Sequence, residues 1–113
     1  MKHSNKYSIA VCVAFLTVLA GSPGRAQDAT LSVSVKNHQF QPAQITAKAN
    51  IPLSIRVKNL DSGRMEFESS NPRVEQVIGG NSEGIVKLCT LAPGRYEFYD
   101  DFDQRNTMVL VVR

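Results

Sequence analysis

The chain is 113 residues long and carries 13 basic and 10 acidic side chains, a formal charge of +3. Lys2, Lys6 and Arg25 account for three of the basic residues, no acid precedes residue 27, and ten of each sign therefore remain in residues 27–113. A neutral remainder of this size holds one modest core and no second domain, and it lacks the basic footprint that nucleic-acid binding requires.

The first residues read as an export signal. A positive start is followed by an apolar run from Ile9 to Ala20, short of the roughly 20 residues that span a bilayer. The run breaks at Gly21-Ser22-Pro23-Gly24. Gly24 and Ala26 then supply small residues at the −3 and −1 positions of a cut after Ala26. The expectation is a cleaved signal peptide over residues 1–26, a single domain over 27–113 and a periplasmic location; an uncleaved anchor is the other reading. Cys12 would leave with the signal, so Cys89 is expected alone, as a small buried hydrophobe on a strand.

From Leu31 the pattern has a period of two. Leu31, Val33 and Val35 alternate with Ser32, Ser34 and Lys36, which predicts a half-buried strand. Asn37-His38-Gln39 interrupts it and Phe40-Gln41-Pro42 turns the chain. Further strands are predicted at Gln44–Ala47, at Pro52–Lys58 and, after the turn formers Asn59 to Gly63, at Met65–Glu68. Val74–Ile78, Ile85–Cys89, Arg95–Tyr99 and Met108–Val112 follow, with Gly, Pro and Asn between them. No window of 11 or more residues after the signal shows helical periodicity. Seven or eight short strands at this spacing predict an all-β, Greek-key sandwich with antiparallel strands.

Chemistry concentrates near the end, where Tyr96-Glu97-Phe98-Tyr99-Asp100, Asp103, Met108 and Val109-Leu110-Val111-Val112 follow one another. This spacing resembles the cupredoxins, whose small blue-copper members close on Tyr-x-Phe-x-Cys, a histidine three residues later, a methionine five beyond that and a terminal strand. The resemblance puts Asp100 in the place of the cysteine, Asp103 in that of a histidine and Met108 in that of the axial methionine. Met65 or Glu66 falls at the other histidine, and His38-x-Phe40-x-Pro42 fits the family's beginning. A blue-copper centre needs a thiolate and two imidazoles, so the resemblance implies the fold without that centre.

Within the same family, Glu66-Phe67-Glu68-Ser69, Val74-Glu75-x-Val77-Ile78, Leu91-x-Pro93-Gly94-x-Tyr96-x-Phe98 and Asp101-Phe102 resemble the periplasmic FtrB-type proteins and EfeO cupredoxin domains of bacterial iron-permease systems. That resemblance implies metal binding in ferrous iron uptake, with an inner-membrane permease as partner. Where the group has acid-Phe-His, this chain has Asp101-Phe102-Asp103. The implied site is Glu66, Glu68, Asp100, Asp101 and Asp103, with Glu66 and Asp103 touching the metal. Carboxylates suit iron better than copper(I). A solvated acidic surface balanced by Arg64, Arg95 and Arg105 explains the same residues without a metal. His38 and Met108 are further candidate ligands, Met108 equally a core residue, and with Met65 they would suit copper instead. A docking module with no redox work remains the alternative from another class.

Overall fold

The computed structural model describes residues 28–113. The expected signal peptide, its cleavage site and Cys12 lie outside the described residues. Nine strands follow in order: β1 (Ala29–Lys36), β2 (Gln39–Gln41), β3 (Gln44–Ala47), β4 (Leu53–Asn59), β5 (Met65–Ser70), β6 (Arg73–Ile78), β7 (Ser82–Lys87), β8 (Gly94–Asp100) and β9 (Asp103–Val112). They form two sheets, one in the order β2-β1-β4-β7 and the other β3-β9-β8-β5-β6. The all-β sandwich is as expected. β2 is the additional strand: a two-residue turn at Asn37 and His38, both left-handed at φ 54° and 61°, folds it back on β1.

Three particulars differ from the sequence reading. The sheets are mixed, because β1 runs parallel to β4 and β3 parallel to β9, pairings between distant segments that local alternation does not encode. β7 stops at Lys87. Beyond it Leu88 N–H donates to the Leu53 carbonyl at 2.8 Å, Leu53 N–H donates to Cys89, and Cys89 turns left-handed at φ 49°. Finally, β9 begins at Asp103, not Met108, so most of the expected ligand loop is strand.

The inward positions of both sheets make one core. Phe67 lies at its centre, stacked on Phe98 with centroids 4.9 Å apart and meeting Phe40 edge-on at 5.9 Å, geometries that aromatic quadrupoles favour. Val33, Ile55, Val57, Met65, Met108 and Leu110 surround the rings. At one end a buried amide organises the loops: Asn59 Nδ2 donates to the Gly63 carbonyl at 2.8 Å and the Gly79 carbonyl at 3.1 Å. Asn81 N–H donates to the Asp61 carbonyl at 2.9 Å. A side chain at Gly80 would collide with the Ser62 carbonyl, so this close crossing of loops needs glycine there. These contacts hold the β4–β5 connection that delivers Glu66 and Glu68.

Candidate metal centre

β8 and β9 are joined by two residues, Asp101 and Phe102, with Asp100 paired to Asp103. Asp100 makes so short a turn stable. Its Oδ1 accepts the Phe102 N–H at 3.0 Å, a side-chain turn of the kind short Asp residues form, and also the Glu66 N–H at 3.0 Å. Asp101 N–H donates to the Glu66 carbonyl at 2.9 Å. The hairpin is thereby latched to β5, and Asp100 is buried at 3% exposure with its carboxylate engaged by backbone.

The latch sets three carboxylates together. In β5, Met65, Phe67 and Ser69 face the core, which turns Glu66 and Glu68 to the opposite side by the two-residue period of a strand. Glu66, Glu68 and Asp101 each place a carboxylate oxygen within 4.8 Å of the others. Asp101 is steadied by Gln104 Nε2, which donates to its Oδ1 at 2.8 Å. Across the ladder Glu68 faces Glu75 on one side and Tyr99 on the other. Burial, followed by the charges of Asp101, Glu66 and Glu75, raises the Glu68 carboxyl above its usual 4.5, while a hydrogen bond with the Tyr99 hydroxyl opposes the rise. Burial, followed by the charges of Glu68 and Asp101, a hydrogen bond with Glu68 and the charge of Glu75, raises the Tyr99 phenol. A cation among the three oxygens would remove the repulsion that these shifts record.

The remaining candidates lie elsewhere. Asp103 is not in the three-carboxylate group; its Oδ1 accepts from Arg105 Nε at 3.2 Å. Together with His38 it lines a groove of about 620 Å³ between the Asn37–His38 turn and the start of β9. Met65 and Met108 are 2% and 1% exposed in the core, and Met108 is paired across the ladder with Phe98. Arg64 stacks its guanidinium over the Phe102 ring at 5.0 Å. Glu75 and Tyr99, which complete the surroundings of Glu68, were not singled out as site residues. The turn at Asn71-Pro72 pairs Ser70 with Arg73 and so sets Glu75 opposite Glu68, a register that a two-residue hairpin implies once the turn is placed.

The sequence pattern of the cupredoxin-like domain family matches residues 8–112. The chain belongs to the cupredoxin-like domain family. This cupredoxin-like chain is 26% identical over 119 residues to an uncharacterized protein of Rickettsia prowazekii (strain Madrid E), covering 99% of this chain and 95% of that one. Its fold is similar to the metal-binding domain of the Streptococcus pneumoniae D39 Cu(I)-exporting P-type ATPase CopA, solved with Cu(I) (TM-score 0.68, 16% identity, 80% of this chain and 99% of that one). It is also similar to auracyanin A, a blue copper protein from Chloroflexus aurantiacus (TM-score 0.60, 14% identity, 77% of this chain and 100% of that one). Identities this low establish a common fold alone.

A blue-copper centre does not fit the donors of this cupredoxin-like chain. The resemblance in spacing puts Asp100 in the place of the thiolate, and its Oδ1 is taken by two backbone N–H groups. Met65 is packed in the core, and Asp103 offers oxygen where that centre takes imidazole. The Glu66, Glu68 and Asp101 oxygens suit a hard cation.

Proposed function

We propose that this cupredoxin-like protein works in the periplasm as a metal-binding accessory of ferrous iron uptake. Iron, its cargo, is held by Glu66, Glu68 and Asp101 before passing to an inner-membrane permease. The observation that carries the reading is the convergence of the three carboxylates within 4.8 Å. The export-type leader and the Glu66-Phe67-Glu68-Ser69 segment, with its likeness to iron-permease-associated proteins, support the location and the partner. Anionic oxygen ligands favour the ferric over the ferrous ion by charge. Bound iron would thus lose its electron readily to dioxygen or to a protein acceptor.

A copper-handling reading draws on the copper named in the fold relatives. The thioethers it needs, Met65 and Met108, are core residues, which favours the carboxylate site. The test is titration of iron(II) and manganese(II) into the purified protein, alongside a Glu66→Gln, Glu68→Gln variant. One ion per chain is expected, with affinity falling about tenfold or more in the variant, equivalent to about 1.4 kcal/mol. Equal binding by both proteins would sink the iron reading and favour a docking module.

A further inference from the structure

Two of the three clustered carboxylates are each held by a neutral donor from the β8–β9 hairpin. β8 buries Phe98 and Asp100, so Tyr99 between them turns to the outer face, where it lies across the ladder from Glu68. Its hydroxyl donates to the Glu68 carboxylate. Gln104, the second residue of β9, donates from Nε2 to Asp101 Oδ1 at 2.8 Å. Neither donor is charged, so the repulsion among the acids remains. Each donor restricts a side chain that would otherwise rotate and engages one of its two carboxylate oxygens. The two differ in setting, since Tyr99 is half-buried and Gln104 is exposed. On its other side Glu68 faces a like charge, Glu75.

We propose that Tyr99 and Gln104 determine which ion the site accepts, by leaving Glu68 and Asp101 one oxygen each for a metal. This inference rests on the carboxylate site proposed above. Calcium takes about six to eight oxygens and commonly draws both from one carboxylate. A smaller ion such as manganese(II) is served by a single oxygen from each carboxylate, with water completing an octahedron. Ligand number and flexibility decide between ions of equal charge. With Glu68 and Asp101 restrained, the site favours the smaller ion; with both free to turn, it can wrap calcium. Tyr99 and Gln104 are thus positioning residues, which act on the ligands and not on the ion.

Manganese(II), which stands in for iron(II) because it resists oxidation by air, and calcium(II) are the probes. Each is titrated calorimetrically into the purified wild-type protein and into Tyr99→Phe, Gln104→Ala and Glu75→Gln, with an unfolding curve recorded for every variant. Removing a partner that orients a metal ligand costs about 10–100-fold in affinity. Tyr99→Phe is therefore expected to weaken manganese about tenfold while calcium affinity holds or rises, moving the ratio of the two by about tenfold or more. Gln104→Ala moves the ratio the same way by less, because its hydrogen bond is exposed. Glu75→Gln supplies the contrast: it removes a charge beside Glu68 and weakens both ions alike, since Coulomb attraction depends on charge and not on the kind of ion. An unmoved ratio in Tyr99→Phe, or one moved towards manganese, overturns the selectivity role. If Glu66→Gln, Glu68→Gln binds manganese as tightly as the wild type, the carboxylate site itself fails; if that variant loses binding and the Tyr99→Phe ratio stands still, only the selectivity role fails.

Discussion

Asp100 and Asp101 are adjacent in the β8–β9 hairpin, yet the fold uses them in different ways. Asp100 is 3% exposed and its Oδ1 receives two backbone N–H groups. Asp101 joins Glu66 and Glu68 on the other side of the sheet, where the neighbouring charges acting on Glu68 are acidic. A carboxylate met by backbone donors holds structure together, whereas one set among other carboxylates is repelled by them unless a cation lies between. Burial does not separate the two groups, since Glu66 is as buried as Asp100.

The largest expected effect tests the latch. Asp100→Ala leaves the Glu66 and Phe102 N–H groups without their acceptor and should destabilise by about 3 kcal/mol in urea unfolding. Asp101→Ala should stay within about 1 kcal/mol; equal losses would erase the distinction between the two aspartates. Next, Met108→Leu should cost no more than about 1.5 kcal/mol, as a volume-conserving core change does, with metal affinity unaltered. A clear loss of affinity would return the thioether to the site.

A smaller effect of opposite sign is expected at Glu68, which directly faces Glu75. Like charges so placed destabilise a sheet, so Glu68→Gln should stabilise the metal-free protein by about 0.2–1 kcal/mol while weakening metal binding. The pH profile sharpens this. The Glu68 pKa is raised on folding, so the wild-type penalty is full above its folded value, shrinks as pH falls through it and is gone below 4.5. The advantage of Glu68→Gln should therefore narrow towards pH 4.5 in unfolding curves taken at successive pH values. Asp61 behaves conversely. Backbone bonds, that to His38 foremost, lower its pKa, so its contribution is present above 3.8 and is lost as pH falls through the folded value. Removing it with Asp61→Asn should flatten that acid limb, a smaller change because Asp61 is solvent-screened.

The alternating apolar positions of β1, β4 and β5 and the Gly, Pro and Asn turns between strands were enough to expect an all-β sandwich, because a half-buried strand imposes a period of two. The spacing from Tyr96 to Met108 carried the likeness to cupredoxins. The short β2 was hidden because three residues between turn formers leave no period to detect, and the parallel pairings β1–β4 and β3–β9 join residues far apart in the chain.

Sequence by itself determined the donor chemistry of this protein. By the spacing from Tyr96 to Met108, aspartates stand where blue-copper proteins have cysteine and histidine, and a blue-copper centre needs a thiolate and imidazoles. Only the tertiary structure decided how the acids are divided. The two-residue hairpin and its latch to β5 assign Asp100 to the backbone, Asp101 to Glu66 and Glu68, and Asp103 to the groove with His38. Residues one apart on a strand project to opposite faces, and which face meets which neighbour depends on register and turn geometry.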